Sequence, residues 1–116
     1  MRRDSRHYLE DIAGACEEAI AFAHGMSLEA FVVDKRTCYA IEWLLFVIGE
    51  AAGGLPEETR TRHPEVEWRP IIGLRNVLAH GYWGLDVETL WDTVQTDIPE
   101  LLHQVRQILA SQTEAF

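Results

Sequence analysis

An all-α fold, an antiparallel bundle of four to five helices, is what this sequence predicts, and three observations carry that reading. Apolar residues return at i, i+4 and i+7 or i+8 in each long segment, the spacing that lines one side of a helix. No segment alternates apolar and polar residues with the period of two that a half-buried strand requires. Asp, Ser, Gly and Pro punctuate the chain at short intervals, so the connections are short and successive helices fold back on one another.

The first helix opens at Asp4/Ser5, whose side chains are suited to cap the first unpaired backbone N–H groups, and closes at Gly25. Its stripe is Tyr8, Ile12, Cys16, Ala19, Ile20 and Ala23. "MSLEAFVVD" restarts with Ser27 as cap, and Glu29 sits near the positive end of the helix dipole. Asp34 caps the next helix, from Thr37 to Ala52, with Cys38, Ile41, Leu44, Leu45, Ile48 and Ala52 on one side and Gly53-Gly54 as its stop. "LPEETRTRHPEVEWRP" reads as a loop holding a short helix from Pro56. A further helix runs from about Trp68 to about His80, with Pro70 tolerated in its first turn. Asp86 caps a segment bearing Val87, Leu90, Trp91 and Val94. Asp97 and Pro99 open a last helix carrying Leu101, Leu102, Val105, Ile108 and Leu109, and the tail "SQTEAF" is expected to fray. Trp43 and Trp91 fit core stripes, while Trp68 and Trp83 flank the helix that ends near His80 and read either as packing residues or as surfaces for stacking a base.

At 116 residues the chain is expected to form one helical domain over residues 1–116, large enough to bury roughly 65% of its unfolded surface. The net charge of −9 argues against a protein that coats nucleic acid through a broad basic surface. It is compatible with a local basic cleft for a short RNA segment: Arg60, Arg62, Arg69 and Arg75 crowd together, and all basic residues but Lys35 are Arg. Cys16 and Cys38 lie on apolar helix faces and read as buried free thiols. His7, His24, His63 and His103 share no ligand spacing, so no metal is expected, and no cofactor motif is present. The N-terminus is too charged for a secretory leader, and the longest apolar run, around "WLLFVIG", is too short to span a bilayer. A soluble, cytoplasmic protein is the expectation.

The segment that carries chemistry is "IIGLRNVLAHGYW", residues 71–83. It begins as an apolar helix and ends with Arg75, Asn76, His80 and Tyr82 gathered around Gly81. At roughly 100° per residue, Asn76 and His80 point the same way, whereas Arg75 lies about 140° round the axis from His80. One reading is structural: His is favourable at a helix C-terminus, Gly is the commonest stop, and the aromatic beyond it plugs the core. The other is catalytic. A His moves protons to or from ribose and leaving oxygens, and an Arg fork stabilises a phosphate gathering charge, so the pair is a metal-free kit for cutting RNA. Because the two diverge on one helix, a compact centre is built more easily by two copies about a two-fold axis, and Gly73 and Ala79 are small enough to let two such helices approach.

These residues resemble the R-x-x-x-x-H-x-Y signature of HEPN-domain proteins of the HepT-like family, and "RNVLAHGY" carries it. The likeness extends over almost the whole chain, through "DIAGACEEAIAFAHGMSLEAFVVD" and "VIGEAAGGLPEETRTRHPEVEW". The resemblance implies a helical-bundle homodimer, the toxin half of a toxin–antitoxin pair whose antitoxin is a minimal nucleotidyltransferase, and a metal-independent ribonuclease. It implies Arg75 and His80 as the catalytic pair, Asn76 as the polar residue beside the Arg, and Tyr82 as the tyrosine to which the antitoxin transfers AMP. Adding anionic nucleotidyl groups two residues from His80 would fill the cleft and repel an RNA phosphate. Where relatives carry an Arg early in the second long helix, this chain has Glu42 and Trp43, with Arg36 at the helix start as a substitute. Glu50 is a candidate to orient Arg75 or His80, or a solvated helix residue. Two non-catalytic readings stand beside the nuclease: a HEPN dimer that binds a nucleotide and partners the nucleotidyltransferase, and a helical scaffold.

Overall fold

Residues 4–80 and 86–113 are described by a computed structural model of the chain, the side chains of residues 79, 80, 112 and 113 excepted. Among them every regular element is helical: α1 (Ser5–Ala23), α2 (Leu28–Val33), α3 (Lys35–Gly54), α4 (Glu57–Arg62), α5 (Trp68–His80), α6 (Val87–Asp92) and α7 (Ile98–Thr113), with a π-helical turn at Thr93–Asp97 joining the last two.

The starts of these helices follow directly from side-chain chemistry. Each first turn leaves backbone N–H groups without an intrahelical acceptor, and a short oxygen-bearing side chain just upstream supplies one. Asp4 Oδ1 accepts from the His7 N–H at 3.1 Å, and Ser27 Oγ from the Ala30 N–H at 3.1 Å. Asp34 Oδ1 accepts from the Thr37 N–H at 3.0 Å while the Thr37 hydroxyl donates to Oδ2 at 2.8 Å. Asp86 holds Thr89 in the same two-pronged way. Between α1 and α2 the chain turns at Gly25, whose φ of +78° is a conformation that side chains with a Cβ disfavour.

Four long rods make the bundle. α1 packs between α3 and α7, α5 packs on the other side of α3, and α6 with α7 forms one continuous path. The expected stripes of α1, α3 and α7 supply the core: Ile12, Cys16, Ala19, Ile41, Leu45, Ile48, Ala52 and Val105 are closed to solvent. Phe31 of α2 is buried against them and meets Trp91 at a ring separation of 5.1 Å. Both cysteines are buried free thiols, and burial pushes Cys16 up to about 12. Among the described residues no helix is long and apolar enough to cross a membrane.

Three expectations are corrected. Gly53-Gly54 does not stop α3, which runs through both to a cap at Leu55; Gly54 is accommodated because the Tyr8 ring lies where a Cβ would project. The last helix does begin at Ile98, beside Asp97 and Pro99, but it continues from the π-helical turn instead of starting afresh at a cap. The Ile98 N–H reaches back five residues to Thr93 O, and this wider turn precedes a proline that has no N–H to give and whose ring would crowd the carbonyl four residues back. In the tail the Ser111 hydroxyl donates to Ile108 O and α7 continues to Thr113, while residues 114–116, on which the rest of the expected fraying falls, lie outside the described residues. Trp43 is not a core residue: 63% of it is exposed, on the side of α3 away from the buried stripe.

Candidate active site

α5 is held against α3 at an unusually short distance, and a glycine makes that possible. A Cβ built on Gly49 would stand 2.8 Å from the Arg75 backbone nitrogen and 3.1 Å from Ile71 O, closer than real Cβ atoms approach. One residue on, Glu50 emerges beside Arg75, and Arg75 Nε meets Glu50 Oε1 at 2.5 Å. Both side chains are about half exposed, so the guanidinium stands at the surface with a carboxylate as its protein partner. Of the two sequence readings of Glu50, the geometry gives the contact with Arg75.

Asn76 and Val77 follow on the exposed side of α5, and Gly73 opens onto space with nothing within 4 Å of a built Cβ. His80 is the last residue of α5, five positions beyond Arg75 on an unbroken helix. Its imidazole lies outside the described residues, as do Gly81, Tyr82 and Trp83, on which the helix stop, the AMP acceptor and one flanking aromatic were read. At the other end of α5 the flanking aromatic is a packing residue: Trp68 is buried and its indole Nε1–H donates to His63 O at 3.0 Å.

Two hollows flank α5. An open groove of about 530 Å³ is lined by Glu57, Arg60, Thr61, Trp68, Arg69 and Ile72, which brings two of the clustered arginines together near the start of the helix. A second, of about 320 Å³, lies between α5 and α7 and presents Glu65, Glu67, Asp97 and Glu100 over an apolar floor. Its charge is wrong for a polyanion, and it takes in neither Arg75 nor Asn76. Among the described residues no group of three or more His, Cys, Asp or Glu side chains is placed to hold a metal ion.

The sequence reading missed a feature that faces the same side as Glu50. Tyr39 and Trp43 are 65% and 63% exposed, and Trp43 stacks on Phe46 at 5.5 Å and 23°. Their 3–4 spacing was the available signal: α3 is apolar nearly all round, which marks a helix with partners on more than one side. Burial pushes the carboxyl of Glu42, half-buried beside them, up from its ordinary value.

Comparison with known proteins gives this geometry its family. The model of the family described as ribonuclease HepT-like matches residues 12–108. A protein of Thermococcus cleftensis named "Probable ribonuclease HepT" is 43% identical over 101 residues, covering 87% of this chain and 92% of that one. A protein of Caldanaerobacter subterraneus named "Putative RNase" is 42% identical over 104 residues, covering 90% and 93%. A third, of Methanocaldococcus jannaschii and named in the same way, is 33% identical over 108 residues, covering 93% of each. No solved structure matches. With the match running from α1 to α7 and taking in Glu50, Arg75 and His80, the chain belongs to the ribonuclease HepT-like family.

Proposed function

We propose that this protein is a metal-independent endoribonuclease that cuts RNA at a centre built on Arg75 and His80, completed where two copies meet, and that it is the toxin of a toxin–antitoxin pair. The observation that carries the reading is the Arg75–Glu50 pair: a guanidinium fixed at the surface, five residues ahead of a histidine on the same helix, in a family named for ribonuclease activity. Arg75 offers a fork of N–H donors to the non-bridging oxygens of a phosphodiester, and the contact through Nε to Glu50 limits the directions the fork takes. His80 takes the proton from the 2′-hydroxyl as it attacks phosphorus, and an acid returns one to the departing 5′-oxygen, giving a 2′,3′-cyclic phosphate. Asn76, exposed one turn before His80, is a hydrogen-bond partner for the same phosphate or its sugar. Arg60 and Arg69 extend the cationic surface toward the start of α5, enough to hold a short strand on a chain of net charge −9.

Control of the activity lies two residues beyond His80. In this reading a minimal nucleotidyltransferase antitoxin transfers AMP from ATP to the Tyr82 hydroxyl, releasing pyrophosphate, and the added nucleotide excludes RNA by the charge of its phosphate and by its bulk.

The test uses purified protein and RNA in excess EDTA, beside Arg75→Ala and His80→Ala. Cleavage by the wild type alone, leaving 2′,3′-cyclic ends, supports the nuclease. Equal cleavage by all three means a contaminant and removes the support. No cleavage together with a thermal shift on adding ATP favours a nucleotide-binding dimer.

A further inference from the structure

Of the two hollows beside α5, the acid-rimmed one serves no step of the proposed chemistry, and its form is that of a seat for a partner helix. The bundle leaves one pairing unmade: α5 packs on α3 and α7 packs on α1, while α5 and α7 hardly meet among the described residues. The furrow left between them holds about 320 Å³. Ile71 and Leu74 of α5, with Ile98 and Leu101 of α7, make its floor, and the two α5 residues are only half-buried. The rim selects what can lie there. Glu65 and Glu67 stand on one wall, Asp97 and Glu100 on the other; all four are exposed, and among the described residues no Lys or Arg lines the furrow. The basic group beside them is His63, whose Nδ1 lies 3.6 Å from Glu65 Oε2. The first wall is held in place before any partner arrives, because Gln104 Nε2–H donates to Glu65 O at 2.9 Å and the Trp68 indole to His63 O at 3.0 Å. The second wall contains the π-helical turn, with Thr93 and Asp97 from its two ends both on the furrow, and turns of this kind recur at functional sites.

We propose that this furrow docks a basic amphipathic helix of a different protein, which seats an aliphatic or aromatic side chain on the apolar floor and sets Lys or Arg against the acids of both walls. Recognition of a helix in a groove rests on such an apolar anchor, and opposite charge along the rim fixes register and speeds encounter. A second copy of the chain suits the furrow poorly, since its densest run of arginine, positions 57–69, sets three Arg among four Glu. RNA is repelled by the same carboxylates that attract the helix. Partner and substrate therefore use opposite flanks of α5, because Arg60 and Arg69 line the other hollow, and both can be held at once. Docking needs no cleavage step, so it stands or falls independently of the nuclease activity.

Binding to the full-length chain is measured by fluorescence anisotropy with three labelled amphipathic peptides of equal length. The first carries Leu along one side, flanked by Lys and Arg; in the second every Leu is Ser, and in the third every cation is Glu. The first is expected to bind saturably, and the other two at least about tenfold more weakly. Neutralising one acid on each wall, Glu67→Gln/Glu100→Gln, is expected to weaken the first peptide about tenfold. Glu18→Gln/Glu29→Gln makes the same change of charge outside the furrow and should alter binding by less than about twofold. All four carboxylates are exposed, and circular dichroism verifies that each variant is folded. Equal weakening by the two double variants would mean attraction to the net charge of −9 and not to the furrow, which overturns the proposal. It is equally overturned if the first peptide fails to bind at hundreds of micromolar, or if the Ser peptide binds as well. Displacement by spermine at an affinity matching the peptide's also sinks it, since a small polycation without an apolar anchor would then be the ligand.

Discussion

The Arg75 backbone nitrogen lies where a side chain on Gly49 would have to stand, 2.8 Å from the Cβ that Gly49 lacks, and this approach sets the position of the proposed centre. With no side chain at Gly49, α5 comes close enough to α3 for Glu50 to reach Arg75. Gly49→Ala therefore forces a methyl group against main-chain atoms that cannot swing aside. We expect a loss of about 1–3 kcal/mol in stability, read as a fall of several degrees in Tm, and a loss of cleavage beyond what unfolding explains. Gly53→Ala, one turn further along, is the control. Its new methyl meets only Ile72 Cγ2 at 3.7 Å, an ordinary contact, and the gain in helix propensity, up to about 1 kcal/mol, makes it neutral or stabilising. Equal destabilisation by both substitutions would show that the close approach is not where the energy lies.

Removing charge at the Arg75–Glu50 pair separates chemistry from folding. Both groups are half exposed, so their mutual attraction is worth less than about 1 kcal/mol. Arg75→Lys keeps a cation but loses the fork, and we expect cleavage to fall on the order of a hundredfold with Tm nearly unchanged. Glu50→Gln keeps the shape and removes the charge. Its expected signature is a roughly tenfold lower kcat with KM little altered, measured with the assembly state monitored in parallel. A Tm drop as large as the activity loss would mean that the pair is structural.

What could be read from the sequence divides along physical lines. Local chemistry was legible: Asp4, Ser27, Asp34 and Asp86 cap the helices because each needs only the N–H groups of the next turn. The buried stripes were legible because their period is that of the helix. Tertiary contacts were not. Whether Gly54 ends a helix or admits the Tyr8 ring depends on a residue 46 positions away. Trp43 looked like core because hydrophobicity alone does not say which of two apolar sides of α3 the fold covers. Asp97 looked like a fresh helix cap because the π turn to which it belongs is a backbone adjustment with no residue type of its own. In the candidate site, the Arg75 and Glu50 positions were legible as a motif, and their contact needed the packing of α3 on α5.

Tyr82→Phe tests regulation without touching the proposed chemistry. It removes the one oxygen to which AMP would be joined and leaves the ring. The variant should remain as active on RNA as wild type, while incubation with the nucleotidyltransferase and ATP silences only the wild type. Intact-mass and peptide mass spectrometry locate the added nucleotide; finding it on a residue other than Tyr82 removes the assignment.

Acid sensitivity should arise at the helix caps. Backbone N–H donation from Thr37, reinforced by its hydroxyl, holds the Asp34 carboxyl below its ordinary value of 3.8, and Thr89 does the same to Asp86. A carboxylate whose folded pKa is depressed binds fewer protons in the folded state than in the unfolded one, so it stabilises the fold above the unfolded value and loses that contribution as pH falls through the folded value. Both caps therefore contribute fully above pH 3.8 and fail progressively below it. Serine caps a helix nearly as well and does not titrate in this range. The double variant Asp34→Ser/Asp86→Ser should match wild type closely at neutral pH and show a shallower loss of denaturation midpoint below pH 3.8, followed by helical circular dichroism in urea. Parallel midpoint curves for the two proteins would place the acid-labile carboxylates elsewhere in the bundle.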